Sequence, residues 1–150
     1  MPDTTILSRF AFPPSKIIIH HSLTADSGTV SWSAIRKYHI ETQGWADIGY
    51  HVGVELAGNE YEALLGRAWD EIGAHCKGQN AVSLGLCFVG NFDGAPPPDA
   101  QLIVGVKVIR YWMRLYNIGP LAIFPHSRFA DKTCPGTMFD MERLRQMVSG

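Results

Sequence analysis

Apolar and β-branched residues along this chain fall into short runs that alternate with turn residues, a pattern typical of strands. Lys16–His20 is a β-branched run of strand length. Tyr50–Leu56 alternates as a strand, and Glu60–Leu65 returns after the turn residues Ala57-Gly58-Asn59, so the pair predicts a hairpin. Val82–Gly90 is nearly continuous in small and apolar residues, which indicates a strand buried on both faces in the middle of the sheet.

Helical spacing appears in three other segments. Thr29 or Ser31 can cap a first helix that ends before Gly44 and carries the apolar or aromatic positions Trp32, Ile35, Tyr38 and His39. Asp99 caps a long core helix that ends at Gly119, with a stripe at three- and four-residue spacing formed by Leu102, Ile103, Val106, Ile109, Trp112, Met113 and Tyr116. A final amphipathic helix is indicated by Met138, Met141, Leu144 and Met147.

These elements together predict a single α/β domain with a mixed sheet flanked by helices. Leu121–Phe124 is a short strand that delivers His126. Residues 1–15 form an irregular lead-in that ends in Phe12-Pro13-Pro14-Ser15, because consecutive prolines exclude both a helix and a central strand. The folded domain is therefore expected to cover residues 16–150.

Composition narrows the possible functions. A chain of 150 residues with a formal net charge of −1 lacks the broad positive field of a nucleic-acid-binding protein, so no nucleic acid partner is expected. No run is long and apolar enough to span a membrane. The N-terminus lacks the pattern of a secretory signal, and reduced thiols are expected for the 3 cysteines. We expect a monomer that stays cytoplasmic until it is released.

The segment from His126 to Gly136 carries the chemistry of the chain. It sets His126, Lys132 and Cys134 close together in a loop, and an imidazole with a thiolate is a pair that zinc takes. The strand that ends in His20-His21 offers a third ligand. Two histidines and one cysteine leave one position of a tetrahedral zinc open, which is the arrangement of a catalytic metal. The motif His-Glu-x-x-His is absent, so the general base is left open between Tyr50 and zinc-bound water.

Six segments, in order along the chain, resemble the zinc amidases of the phage T7 lysozyme and peptidoglycan recognition protein family (amidase type 2). That family cuts the amide between N-acetylmuramic acid and L-alanine in bacterial cell walls. The resemblance runs from Ile17 to about Met141. The matching segments are Ile18–Thr24, Ile35–His39, Gln43–His51, Gly73–Asn80, Ser83–Gly90 and His126–Pro135.

The resemblance implies the fold of that family and a set of site residues. His20, His126 and Cys134 match its zinc ligands, and His21 is expected on the opposite strand face as a neighbour of the metal. Tyr50 and Lys132 match the positions that assist catalysis without holding the metal. A lysine ammonium or tyrosine hydroxyl can stabilise the negative charge that develops on the scissile carbonyl oxygen.

Three further residues, His51, His75 and Asn80, lie in segments that the resemblance places around the substrate cleft. His75 is the best candidate among them for a substrate contact, because it lies in a loop. Cys76 beside it is not expected to hold zinc, and His39 is expected to be structural. Trp45 and Trp69 fit either a platform for sugar rings or the edge of the core.

These observations predict a zinc-dependent N-acetylmuramoyl-L-alanine amidase that acts on peptidoglycan muropeptide, as an endolysin of phage or prophage origin. Two alternatives remain. The first is a recognition module that binds muropeptide without cutting it, although family members of that kind lack the cysteine found here at Cys134. The second is an additional regulatory binding function, since T7 lysozyme also inhibits its phage's RNA polymerase.

Overall fold

A five-stranded sheet forms the centre of the protein. The structure is a computed structural model that describes residues 7–26 and 31–150. Its strands are β1 (Lys16–His21), β2 (Val52–Ala57), β3 (Glu60–Leu65), β4 (Ser83–Phe88) and β5 (Ile123–Pro125), in the order β3-β2-β4-β1-β5. β3 pairs antiparallel with β2, and the other pairings are parallel, so the predicted mixed sheet is confirmed. The strand predicted within Val82–Gly90 lies in the middle of the sheet, as expected, and its observed bounds are Ser83–Phe88.

The back face of the sheet carries the main hydrophobic core. Side chains alternate between the two faces of a strand, and residues paired in parallel register share a face. Two helices, α2 (Asp99–Tyr116) and α3 (Met141–Ser149), cover this face. The core on this side includes Ile17, Ile19, Val52, Val54, Leu84, Leu86, Phe88, Ile109, Trp112 and Leu144.

The front face is more polar and carries His20, Gly53, Glu55, Gly85 and Cys87, since these residues alternate with the core positions. A short helix, α1 (Trp32–Lys37), covers part of it and continues as a π-helical turn over Tyr38–Thr42. A Cβ atom at Gly53 would lie 2.5 Å from the Trp32 ring, so only glycine lets this indole rest on the strand. The front face therefore leaves room for functional groups that the back face excludes.

A buried carboxylate holds α1 on the front face. Glu55 is fully buried and accepts hydrogen bonds from the backbone N–H groups of Ser31 and Trp32 and from the Ser31 hydroxyl. These are donors at the start of a helix, which have no intrahelical partner. Ser31 therefore sits at the predicted cap position, although Glu55 supplies the capping oxygens. Thr29, the other predicted cap, lies outside the described residues.

Several predicted boundaries differ from the observed ones by a few residues. The first strand reaches His21, and the second begins at Val52 instead of Tyr50. α2 begins at Asp99, with Pro98 in the cap position, and ends before Asn117 instead of at Gly119. Asn117 has a φ of 55°, and its N–H bonds to the Met113 carbonyl, which terminates the helix. Met138 precedes the last helix, which Asp140 caps.

The segment before the first strand is attached to the domain by backbone hydrogen bonds. The Phe10 N–H donates to the Asp70 carbonyl at 3.0 Å, and the Ser15 N–H donates to the Val82 carbonyl at 2.9 Å.

Within residues 7–26 and 31–150, none of the helices combines the length and the apolar character needed to cross a membrane.

Candidate metal centre and active site

Three potential metal ligands converge at one end of the front face. His20 is near the end of β1, and β5 pairs with β1 so that Pro125 lies opposite Ile19, which places the next residue, His126, beside His20. The ring centroids of the two histidines are 4.5 Å apart. One nitrogen of each ring and the Cys134 sulfur all lie within 4.8 Å of one another, and His20 Nδ1 is 3.9 Å from Cys134 Sγ. The structure thus brings His20, His126 and Cys134 together.

Hydrogen bonds to the backbone and to the side chain of Cys134 hold its loop in place. The Ser127 N–H donates to the Cys134 carbonyl at 2.8 Å, and the His21 N–H donates to its sulfur at 3.4 Å. Gly136 has a φ of 122°, and a Cβ there would lie 2.4 Å from the Phe92 carbonyl carbon. Both conditions require glycine at this position. The close approach of the two backbones fixes the position of Cys134.

An exposed carboxylate, Asp93, ties the same loop to the chain after β4. It accepts hydrogen bonds from the Thr133 hydroxyl at 3.0 Å and from the Thr137 N–H at 2.9 Å. These two bonds lower the pKa of Asp93 below its usual value, with the Thr137 bond contributing most. The bonds span Cys134 on both sides, so Asp93 helps to define where the thiol lies.

Burial sets the protonation states in the cluster. Desolvation, with the neighbouring His75, His126 and Lys132, holds the pKa of His20 well below its usual value. Desolvation and Lys132 also lower the pKa of His126 to about 4. The imidazoles are therefore neutral at pH 7, which is the form that binds a metal. Desolvation raises the pKa of Cys134 to about 11, although the His21 N–H and Lys132 act against it. A divalent cation would favour its thiolate.

Tyr50 lies against the His20 ring, and Lys132 lies at the edge of the cluster. The Tyr50 and His20 ring centroids are 5.1 Å apart, and the Trp32 ring stacks on Tyr50 with centroids 6.0 Å apart. Burial, followed by the neighbouring Cys87 and Cys134, holds the pKa of Tyr50 well above its usual value, so the phenol keeps its proton. Lys132 is exposed, and its charge lowers the pKa values of His20, His126 and Cys134.

The three residues predicted around the substrate are all buried and bonded within the protein. His51 is fully buried, accepts from the Gly85 N–H at Nδ1 and approaches the Glu71 carbonyl with Nε2 at 2.7 Å. His75 places its Nδ1 2.9 Å from Nε2 of His20. Asn80 accepts the N–H groups of His75 and Cys76 through Oδ1, both at 2.9 Å. These contacts lie behind the metal cluster.

Sequence reasoning missed two residues that shape the site, Gly85 and Cys87. A Cβ at Gly85 would lie 2.6 Å from Cγ of His75, so the glycine makes room for that ring on β4. Cys87 pairs in register with His20 and belongs to a buried cluster against which the Tyr50 ring packs. A glycine inside an otherwise apolar strand was the available signal for a close approach.

Comparison with known proteins places this geometry in a family. Residues 11–137 match the model of the N-acetylmuramoyl-L-alanine amidase family (Amidase_2). The chain belongs to this family. It is similar to the endolysin of Klebsiella phage KP32, with 34% identity over 133 residues, which cover 86% of this chain and 83% of that protein. The assignment to an amidase family from sequence is therefore confirmed.

Two solved structures, of an amidase and of a recognition protein, share the fold. The amidase LysC of Clostridium intestinale URNW superimposes with a TM-score of 0.83 at 27% identity, covering 97% of this chain and 91% of that one. Peptidoglycan recognition protein-LE, in complex with tracheal cytotoxin, superimposes with a TM-score of 0.79 at 26% identity, covering 93% and 83% of the two chains. The predicted amidase fold is confirmed.

Trp45 and Trp69, whose roles the sequence left open, have different surroundings in this amidase. Trp69 packs edge-on against Trp112 at 5.6 Å and against Tyr111 at 5.7 Å, so it lies at the edge of the back-face core. Trp45 is partly exposed and lies 4.6 Å from the His39 ring, whose Nδ1 accepts from the Gly49 N–H. His39 in turn contacts Tyr50 at 5.6 Å.

Acid is expected to destabilise this amidase between pH 6.5 and pH 4, because burial lowers the pKa of His51 to about 4. An unfolded histidine titrates near 6.5, so between these values the unfolded state binds the extra proton and stability falls as pH falls. The pKa difference corresponds to about 3 kcal/mol for His51. Urea unfolding of the zinc-free protein at pH 7, 6 and 5 measures this decline.

The matched variant for this prediction is His51→Asn. Its amide oxygen can still accept from the Gly85 N–H, but the side chain no longer titrates. We expect lower stability at pH 7 and a shallower decline toward pH 5 than in the parent. Parallel pH profiles for the two proteins would show that His51 does not cause the acid sensitivity.

Proposed function

We propose that this chain is a zinc hydrolase that cleaves the amide between N-acetylmuramic acid and L-alanine in peptidoglycan. The observation that carries the proposal is the convergence of His20, His126 and Cys134 within 4.8 Å, in a chain that belongs to an amidase family. We assign these three residues as the zinc ligands.

The donor set fits zinc by its chemistry. Two imidazole nitrogens and one thiolate suit Zn²⁺, whereas magnesium and calcium prefer oxygen ligands. Within the described residues, this is the group of histidine, cysteine and acidic side chains that can converge on one ion. Three protein ligands leave a coordination position for water or substrate. Zinc bound there supplies a Lewis acid and an activated water at neutral pH.

Tyr50 and Lys132 are proposed to stabilise the charge that develops on the carbonyl oxygen of the substrate. The phenol of Tyr50 is neutral at pH 7 and lies beside His20, so it can donate a hydrogen bond. Lys132 carries an exposed ammonium group on the loop between two proposed ligands.

The substrate and the biological setting follow from the relatives. The similar protein of Klebsiella phage KP32 is an endolysin, and peptidoglycan recognition protein-LE is described in complex with monomeric diaminopimelic acid-type peptidoglycan. We therefore propose muropeptide as the substrate and lysis of a bacterial cell wall as the role.

The competing possibility is a recognition module that binds muropeptide without cutting it, as the likeness to a recognition protein allows. The position of Cys134 against His20 favours the enzyme, because a binding module has no use for an open metal position. The two possibilities make opposite predictions for purified cell walls.

The deciding experiment measures new amino groups released from purified peptidoglycan. We expect zinc-loaded protein to clear a wall suspension and to expose one free L-alanine amino terminus for each bond cut. Chelation should stop the reaction, and added zinc should restore it. Tight binding to walls with one zinc per chain and no released amino termini would establish the recognition module instead.

A further inference from the structure

We propose that His75 is a positioning residue, which holds His20 in the tautomer that directs its Nδ1 lone pair at the metal. The inference rests on the proposed assignment of His20 as a zinc ligand. It explains a buried chain of hydrogen bonds that leads to the proposed ligand. This chain joins Gln79, Ser83, His75 and His20.

The first group that determines the tautomers in this chain is the Ser83 hydroxyl, which has a single proton to donate. The Ser83 hydroxyl donates to the Gln79 carbonyl at 2.7 Å. It therefore offers only a lone pair to His75 Nε2, which lies 3.3 Å away. The second group facing this nitrogen is the Ser83 carbonyl at 3.5 Å, which is also an acceptor. Both neighbours accept, so the ring proton of His75 belongs on Nε2.

This assignment fixes the next ring. A neutral imidazole with its proton on Nε2 has a free lone pair on Nδ1, so His75 Nδ1 is an acceptor. It lies 2.9 Å from His20 Nε2, which must then be the donor. His20 consequently has no proton on Nδ1, the nitrogen that faces Cys134 Sγ at 3.9 Å. The hydrogen bond made by one ring nitrogen sets which form of the other nitrogen is available to a metal.

The surrounding residues place His75 for this contact. The Asn80 amide oxygen accepts hydrogen bonds from the backbone N–H groups of His75 and Cys76. Gly85 leaves the space that the His75 ring occupies on β4. Gly85 pairs with Ile18, two residues before His20 on the same strand face. A ring resting on Gly85 thus lies directly behind the His20 imidazole. At 8% exposure, His75 has little surface left for a substrate.

The test compares His75→Asn with His75→Leu. Asparagine places an amide oxygen near the position of Nδ1 and can still accept from His20, whereas leucine fills the space without an acceptor. Loss of the partner that orients a ligand typically weakens metal binding roughly 10–100-fold. We expect His75→Leu to lose zinc affinity by that factor in competition with a chelator, and His75→Asn to retain most of the affinity of the parent.

Nitrogen NMR of the histidine rings in the zinc-free protein gives a readout that does not depend on catalysis. We expect His20 to hold its proton on Nε2 in the parent and in His75→Asn, and to exchange between both tautomers in His75→Leu. Ser83→Ala should cause a smaller change, because the Ser83 carbonyl still accepts. Gln79→Ala keeps the carbonyl that accepts from Ser83 and should leave the His20 spectrum unchanged.

Two outcomes would overturn the proposal. One is a His75→Leu protein that folds, keeps the parent's zinc affinity and shows a single His20 tautomer. The other is a higher KM in His75→Asn and His75→Leu alike with zinc affinity unchanged, which would make His75 a substrate contact. If His75→Leu does not fold, equal zinc affinity in the parent, His75→Asn and His75→Gly would decide against the proposal. The zinc-affinity and tautomer measurements do not require that the parent hydrolyse peptidoglycan, so the proposed function can fail separately.

Discussion

Serine in place of Cys134 is expected to abolish zinc binding and hydrolysis together. The thiolate is the soft, anionic member of the proposed ligand set, and a serine hydroxyl at the same position stays protonated and binds zinc poorly. Loss of a ligand should weaken zinc binding by more than the roughly 10–100-fold typical of losing a hydrogen-bond partner that orients a ligand. Metal content by mass spectrometry and amino-group release from purified walls, measured on one preparation, test this expectation. His126→Ala should behave in the same way.

Cys76→Ser is the matched control for the cysteine variant. Cys76 is a second buried cysteine of this chain, and its sulfur is not part of the three-residue cluster. We expect this variant to keep one zinc per chain, because serine and cysteine are close in size and no ligand is lost. Stoichiometric zinc in Cys134→Ser, or loss of zinc in Cys76→Ser alone, would contradict the ligand set.

Most of the sheet could be predicted from the sequence because its strands have strong patterns. The continuous apolar run of β4 is buried on both faces, as its composition indicates, and the alternating hairpin strands lie where the turn Ala57-Gly58-Asn59 predicts. Helix ends were less predictable. The long core helix stops at Asn117 because that residue adopts a left-handed conformation, and asparagine is a weaker stop signal than the glycine two residues later.

The metal cluster could be anticipated only in part from residue chemistry. The segment from His126 to Cys134 indicated a metal loop by itself, but the choice of His20 over His21 needed strand alternation and the family resemblance. In the structure His21 lies on the opposite face, where its Nδ1 accepts from the Phe92 N–H. Because alternation determines which face a side chain occupies, a strand that continues through both histidines separates their roles.

The residues behind the cluster could not be assigned from sequence. His51, His75 and Asn80 lie in or near a loop segment, and loop residues more often bind ligands than pack. Their burial depends on Gly85, which lets the His75 ring approach β4, and on hydrogen bonds that join residues far apart in the chain. Such contacts depend on how the loop after β3 folds over the sheet, which local patterns do not specify.

Tyr50→Phe is expected to lower turnover by roughly two to three orders of magnitude, the usual cost of losing one donor to a developing oxyanion. Phenylalanine keeps the ring that contacts His20 and Trp32, so folding and zinc content should remain close to those of the parent. Lys132→Ala should cause a similar loss, since its ammonium acts on the same charge. Both variants should bind intact muropeptide nearly as well as the parent, because the interaction strengthens only in the transition state.

Single-turnover rates, zinc content and muropeptide binding, measured on the same preparations, separate chemistry from metal and substrate binding. Tyr38→Phe and Lys37→Ala are the matched controls, because they make the same changes at exposed positions on the first helix and its continuation. Turnover in these two proteins should match the parent. A Lys132→Ala protein with full zinc, normal turnover and weak muropeptide binding would make Lys132 a substrate anchor. Tyr50→Phe at full activity would leave zinc as the sole stabiliser of the carbonyl oxygen on that side of the cleft.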